Sequence, residues 1–190
     1  MAPDWNARHA AGSVADASPA PVLRDNAHLL PAAGTGLDLA CGLGGNAILL
    51  ARHGLEAFAW DSAATAIDAL AAWARARELP IRAEVRDVVA APPEPGRFDV
   101  IVVSRFLERS LAPALAAALR PGGILFYQTF TRERVTGRGP RSDRFRLTRG
   151  ELLELFRALE LLVYREEGSA GDTARGLRDE AQLVARRPRA

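Results

Sequence analysis

The apolar positions of this chain fall into short runs separated by polar or glycine-rich punctuation, and the spacing within them changes from run to run. Gly36 to Ala40 is an apolar run holding one acid, followed by Cys41-Gly42-Leu43-Gly44-Gly45 and then by Asn46 to His53, which Gly54 ends. That order predicts a strand, a glycine turn and a helix. Glu56 to Trp60 predicts a second strand. Asp61-Ser62 opens an alanine-rich helix reaching about Leu79, where Pro80 stops it because proline cannot continue the hydrogen-bond ladder. Ile81 to Arg86 supplies a third strand. Beyond the Pro-rich loop Ala91 to Gly96, Phe98 to Val103 is nearly continuous and β-branched, as a strand buried on both faces of a parallel sheet must be. Leu111 to Leu119 reads as a helix ended by Arg120-Pro121-Gly122-Gly123, and Ile124 to Phe130 as the fifth strand. Thr148 and Glu151 fit a capping box for a helix over Glu151 to Leu159. Two last strands, Leu161 to Glu166 and Gln182 to Arg186, are joined by a polar, Gly-rich connection long enough for a hairpin.

Strands alternating with helices at this spacing predict an α/β fold: a doubly wound, mostly parallel, seven-stranded, Rossmann-like sheet with helices on both faces and a C-terminal antiparallel hairpin. A chain of 190 residues, 48% of them hydrophobic, suits one domain over residues 1–190. Residues 1–21 read as a polar N-terminal arm or short helix rather than a core element. Asp4-Trp5 is the exception there, because a tryptophan in such an arm packs on something. Residues 131–147 read as an arginine-rich lid or loop.

The single cysteine, Cys41, excludes an internal disulfide framework, and with only His9, His28 and His53 beside it no structural zinc site and no other metal is expected. No stretch approaches the roughly 20 apolar residues of a membrane span, and no leader is legible. A soluble cytoplasmic protein without a membrane partner is the expectation. There is no lysine, so all 25 basic residues are arginines, which excludes Schiff-base and pyridoxal-phosphate lysines and the P-loop lysine. The net charge is +2 and the excess arginines cluster in residues 132–149 and at the C-terminus, a hint of an anionic ligand.

In such a sheet, ligands bind beyond the carboxyl ends of the strands, near the switch in strand order. Gly42 and Gly44 let the backbone approach a ligand, and the first N–H groups of the following helix are free to meet its polar atoms. Asp61, about twenty residues on, stands where a carboxylate accepts from both ribose hydroxyls; its plainer role is a helix N-cap shared with Ser62. Gly42-Leu43-Gly44-Gly45-Asn46-Ala47 also satisfies G-x-G-x-x-A, so an NAD-dependent oxidoreductase is a rival. Three features separate the two. Asp38 lies just before the turn, where a carboxylate suits a cationic sulfonium ligand and not a pyrophosphate. Arg86-Asp87-Val88 ends the third strand with an acid for an exocyclic amine and a backbone N–H for a ring nitrogen. The terminal hairpin replaces the further βαβ unit or substrate domain that a dinucleotide fold more often adds.

The runs LDLACGLGGNAILLARHG, AWDSAATAIDAL, RDVVA, FDVIVVSRFLERSL and LRPGGILFYQTF together resemble the ordered signature set of class I S-adenosylmethionine (SAM)-dependent methyltransferases, over roughly Leu37 to Phe130. Trp5, Arg8 and FYQTF…RFRLTRGELLELF are similar to the tellurite-resistance-type branch of small methyltransferases. Two positions depart from that branch: Gly45 stands where it commonly has an arginine, and His9 where an aromatic often follows the arginine of the arm. The resemblance implies SAM as cofactor. It places Asp38, Gly42 and Gly44 around the methionyl part, Asp61 and Ser62 at the ribose, and Asp87 with Val88 at the adenine, with Ala40, Asn46 and Ser104 also among the cofactor-binding residues. Ser104, Arg105 and Phe106, after the fourth strand, would face the methyl group and its acceptor.

Methyl transfer from a sulfonium needs alignment, a dry site and an acceptor lone pair, so a strong base is optional. The segment Ser104-Arg105-Phe106 lacks the Asn/Asp-Pro-Pro-aromatic pattern of amino-group methylation, and Cys41 lies in the turn rather than near an acceptor. A small, anionic or soft nucleophile is the expected partner, with Arg105 its first contact and a salt bridge to Glu108 or Asp99 as that arginine's ordinary alternative. Arg132, Arg134, Arg138, Arg141, Arg144 and Arg146 form either a lid gathering an anion or a solvated loop. An RNA or protein methyltransferase and a non-catalytic SAM-binding module stay open as alternatives. Nucleic acid is the less favoured partner, since aromatics make up 6% of the chain. His28 and His53 read as helix-surface residues.

Overall fold

The computed structural model describes residues 12–189; Asp4, Trp5, Arg8 and His9 lie outside the described residues. Seven strands form a single sheet: β1 (Gly34–Leu39), β2 (Leu55–Asp61), β3 (Ile81–Val85), β4 (Phe98–Ser104), β5 (Leu119–Phe130), β6 (Glu160–Arg165) and β7 (Glu180–Arg186). Their order is β3-β2-β1-β4-β5-β7-β6, with β1 to β5 parallel and β7 antiparallel to both β5 and β6. This is the doubly wound sheet with a terminal hairpin that the pattern implied. Its order reverses between β1 and β4.

Five α-helices accompany it among the described residues: α1 (Pro21–Arg24), α2 (Gly45–Arg52), α3 (Ala64–Arg75), α4 (Ala112–Ala118) and α5 (Glu151–Leu155). Successive β4 side chains alternate between two apolar layers, because neighbouring strand residues point to opposite faces. Val100 and Val102 join Val22, Leu23, Leu50, Ile67 and Leu70 on one side. Ile101 and Val103 join Leu115, Leu152 and Phe156 on the other. All four β4 residues are fully buried, which is why that run carries no polar alternation.

Several element ends differ from the sequence reading. Helix α3 starts at Ala64, not at Asp61, and stops at Arg75 rather than near Leu79. Glu78 takes a left-handed conformation there, and Leu79 N–H donates to Ala74 O at 3.1 Å, the six-to-one bond of a Schellman ending. The chain leaves the helix before Pro80 can break it. Arg120-Pro121-Gly122-Gly123 does not separate helix from strand; it is extruded within β5, where pairing jumps from Phe98↔Leu119 to Val100↔Ile124. Helix α5 spans Glu151–Leu155 instead of reaching Leu159, and its N-cap is Gly150. Only half of the expected capping box forms: Glu151 accepts from Thr148 N at 2.7 Å and from its hydroxyl at 3.0 Å.

The N-terminal stretch is a larger correction. Val14 belongs to the core, and a Cβ on Gly45 would stand 2.4 Å from the Ser18 carbonyl oxygen. The chain before α1 therefore lies directly on the first turn of α2. That contact gives a physical reason for glycine where an arginine was the pattern.

Residues 131–147 form an irregular, largely exposed stretch that is tied down from within. Arg146, only 1% exposed, donates to the carbonyls of Thr131 (2.6 Å), Pro140 (2.7 Å) and Arg138, pinning the segment from within. Buried Asp179 accepts the backbone N–H groups of Thr136 (3.0 Å) and Arg138 (2.9 Å), which helps hold its carboxyl down at about 2.

Candidate active site

The carboxyl ends of β1 and β4 leave their strands in the same unusual way. Ala40, directly after β1, and Arg105, directly after β4, both adopt left-handed backbone, with φ of 55° in each. For residues with a Cβ this conformation costs about 1–2 kcal/mol, and surrounding structure must impose it. Both lie at the strand-order reversal, where an open α/β sheet offers its ligand crevice.

Between them, Asn46 ties the site together. Its amide nitrogen donates to Asp38 Oδ1 (3.0 Å) on β1 and to Ser104 Oγ (3.2 Å) on β4, while its oxygen accepts from Ala20 N (2.8 Å) before α1. Asp38 also accepts from Ala47 N at 3.0 Å. Asp38 has no exposed surface, and burial pushes its carboxyl up to about 7 against the pull of those hydrogen bonds, with Asp61 adding repulsion.

Asp61 does not cap α3, whose N-cap is Ala63 with no side-chain cap bond; its carboxylate holds two turns instead. Oδ1 accepts from Ala63 N (2.9 Å) ahead of α3, and Oδ2 accepts from Gly42 N (2.8 Å) in the glycine turn. The carboxylate thus clamps the turn to the end of β2. Gly44 is the left-handed N-cap of α2 at φ 77°, and a Cβ there would meet Leu70 Cδ2 at 2.4 Å, so only glycine lets α3 pack that close. Cys41 is buried and its thiol pKa is raised by that burial; it packs in the turn.

The remaining candidates sit nearby with varied exposure. Ser62 and Asp87 are exposed, whereas Val88 is buried in the core. Asp87 Oδ1 accepts from Val89 N (2.9 Å) and Ala90 N (3.2 Å), shaping the turn after β3. Phe106 packs on the core, and its carbonyl accepts from Tyr127 OH at 3.0 Å. Arg105 pairs with neither Glu108 nor Asp99. Glu108 caps Ser110, and Asp99 lies at the opposite end of β4 with Arg120 at 2.6 Å. The nearest acid to Arg105 is instead Glu180, at 3.8 Å. Glu180, Gln128 and Gln182 form a buried polar row that the sequence reading missed, because it joins β5 to β7 and no local motif marks it. His28 and His53 are exposed. Among the described residues, no group of His, Cys, Asp and Glu is arranged to hold a metal, and no helix is long and apolar enough to cross a membrane.

Residues 37–123 match the family model of the methyltransferase domain. Over 101 residues the chain is 32% identical to the ubiquinone biosynthesis O-methyltransferase of Coxiella burnetii, a match covering 50% of this chain and 43% of that protein. The chain thus spans less than half the length of the curated relatives it matches. TehB from Haemophilus influenzae superposes with a TM-score of 0.72 at 22% identity, over 89% of this chain and 62% of that one. Geranyl diphosphate C-methyltransferase from Streptomyces coelicolor A3(2) gives 0.69 at 16% identity, over 87% and 74%. At these identities the structural likeness speaks for the fold. Strand order, glycine turn and domain match together define a class I methyltransferase fold. Residues 37–123 thus resemble a methyltransferase domain in sequence, and the described chain shares the fold of solved methyltransferases.

Proposed function

We propose that this chain transfers the methyl group of SAM to a small anionic acceptor entering beside Ser104, Arg105 and Phe106. One observation carries the reading: Asn46 joins the buried acid of β1 to Ser104 at the end of β4, so the glycine turn and the acceptor side share a single rigid link. SAM supplies an activated methyl group on a cationic sulfur. The donor set fits such a molecule. Asp38 and Asp61 offer carboxylate near the glycine turn, and among the described residues each Asp61 oxygen accepts a single protein hydrogen bond, leaving capacity for a ribose hydroxyl. Asp38, Ala40, Gly42, Gly44 and Asn46 would line the methionyl part, Asp61 and Ser62 the ribose, and Asp87 and Val88 the adenine.

On the acceptor side the protein's work is alignment and exclusion of water. Tyr127 fixes the loop through the Phe106 carbonyl, and the Arg105 backbone N–H donates to Gln128 O at 2.8 Å. Those two bonds hold Ser104 to Phe106 in register with β5. The Arg105 side chain is 60% exposed, and its ion pair with Glu180 at 3.8 Å is too long for a hydrogen bond, so its donors are available to an anion.

Calorimetry of the purified chain with SAM, its demethylated product and NAD tests the cofactor half. SAM and its product should bind and NAD should not; a preference for NAD would sink the reading. Asp61→Ala should weaken SAM binding at least tenfold, roughly the worth of one hydrogen bond to a charged group, while Asp61→Asn, which keeps one acceptor, should lose less. Radioactive methyl from SAM should enter small acids rather than RNA or protein.

A further inference from the structure

We infer that the cleft at the carboxyl end of β5 and the amino end of β7 recognises a small hydroxy acid, its anionic group held by Arg105 and Arg138 and its hydroxyl donating to Glu180. The inference deepens the preceding proposal and rests on it for the cleft's role as the acceptor site.

The cleft holds about 350 Å³ and is lined by five arginines together with Glu180. That volume suits a small organic molecule better than a bare inorganic ion. Three of the arginines are already engaged: Arg24 with Asp25, Arg165 with Glu167, and Arg178 with the Gly168 and Asp172 carbonyls. Arg105 and Arg138 line the same cleft with exposed side chains, and no side-chain hydrogen bond holds either of them among the described residues. Two exposed guanidinium groups lining one space, Arg105 held only by its 3.8 Å ion pair with Glu180, suit a carboxylate or phosphate.

Glu180 makes the site selective. It is 5% exposed, and its Oε2 accepts from Gln128 Nε2. The orientation of Gln128 is fixed, because its oxygen already accepts from Val22 N (2.9 Å) and Gln182 Nε2 (3.0 Å). Glu180 Oε1 is left buried without a hydrogen-bond partner, and Arg105 at 3.8 Å is too far to supply one. A buried carboxylate oxygen aimed into a cationic cleft repels a bare anion and rewards one that brings its own hydrogen. A neutral hydroxyl beside the anionic group meets both demands, whereas an ammonium group would be repelled by the arginines.

Titration of the full chain saturated with the demethylated cofactor product, followed by NMR, reads this directly through two pairs of probes. Malate and succinate differ by one hydroxyl; phosphate at pH 6 carries hydrogens that sulfate lacks. The wild type should bind malate over succinate, and phosphate over sulfate, by roughly tenfold or more, as a hydrogen bond to a charged group provides. Glu180→Gln should abolish both preferences, since its amide offers the cleft a donor. Arg138→Gln, at an exposed position, should weaken all four anions and leave the ratios intact. Equal affinity within each pair, or preferences that survive Glu180→Gln in a variant melting like the wild type, would overturn the inference. Preference for phosphate without preference for malate would overturn the choice of an organic acid. Failure of the demethylated product to bind in the first step would count against the cofactor reading instead, and the anion ratios would still report on the cleft.

Discussion

Asp38 has the most unusual environment of the site's residues, since a fully buried carboxyl at about 7 is half protonated near neutrality. Its raised value means that the folded chain holds a proton which the unfolded chain releases near 3.8. The associated stability is present at low pH and is lost as pH rises through the window from about 4 to about 7. A cationic ligand reverses the preference, favouring the ionised form. SAM affinity should therefore be flat above pH 7 and fall about tenfold per unit below it, with proton release at pH 6 when calorimetry is repeated in buffers of different ionisation enthalpy. No proton release at that pH would separate Asp38 from the ligand. The placement of Asp38, Gly42, Gly44 and Asp61 at strand ends and in a short turn was legible in the sequence because these are local features. Asn46 stood in the same motif, but its reach to Ser104 and Ala20 was not readable, since both partners come from distant segments. Glu180 was invisible for the same reason: its neighbour Gln128 lies 52 positions away.

At the scale of elements, strand interiors were readable and ends were not. The β4 run announced itself because burial on both faces leaves no polar position, but where α3 stops depends on Glu78 adopting left-handed backbone, which its residue type does not advertise. The arginine-rich segment shows the limit most clearly. Six arginines in seventeen residues looked like a charged surface, yet Arg146 turns inward and serves three carbonyls, as a planar five-donor group can. Replacing it by alanine should leave those carbonyls without their donor and a void beneath the segment, at a cost of about 2–4 kcal/mol in denaturant unfolding. Proteolysis in residues 131–147 should rise in step. Arg146→Lys should recover only part of the loss, because an ammonium cannot reach three carbonyls in one plane. Wild-type stability and protease resistance in Arg146→Ala would mean that Asp179 alone holds the segment.

Across the whole molecule, the two ends of the parallel sheet are finished differently. At the amino ends of β1 and β4, Asp99 accepts from Thr35 N at 2.7 Å and pairs with Arg120 at 2.6 Å, closing that side with groups that satisfy one another. The carboxyl ends are left unfinished: left-handed backbone at Ala40 and Arg105, a buried acid near neutrality at Asp38, and an unpartnered oxygen at Glu180. Polar groups neutralised at one edge and stranded at the other favour the second edge for the proposed ligand. Hydrogen exchange with and without SAM measures this asymmetry. Protection should gather at residues 42–47, 61–63, 89–90 and 104–107, whose amides belong to the turns after β1 to β4. The outer strand β6, where Leu161 and Leu162 are exposed, should exchange as before. Protection centred instead on the Asp99 end, around residues 34–35 and 120–123, would put the ligand on the closed side and remove the ground for assigning any of the strand-end residues to it.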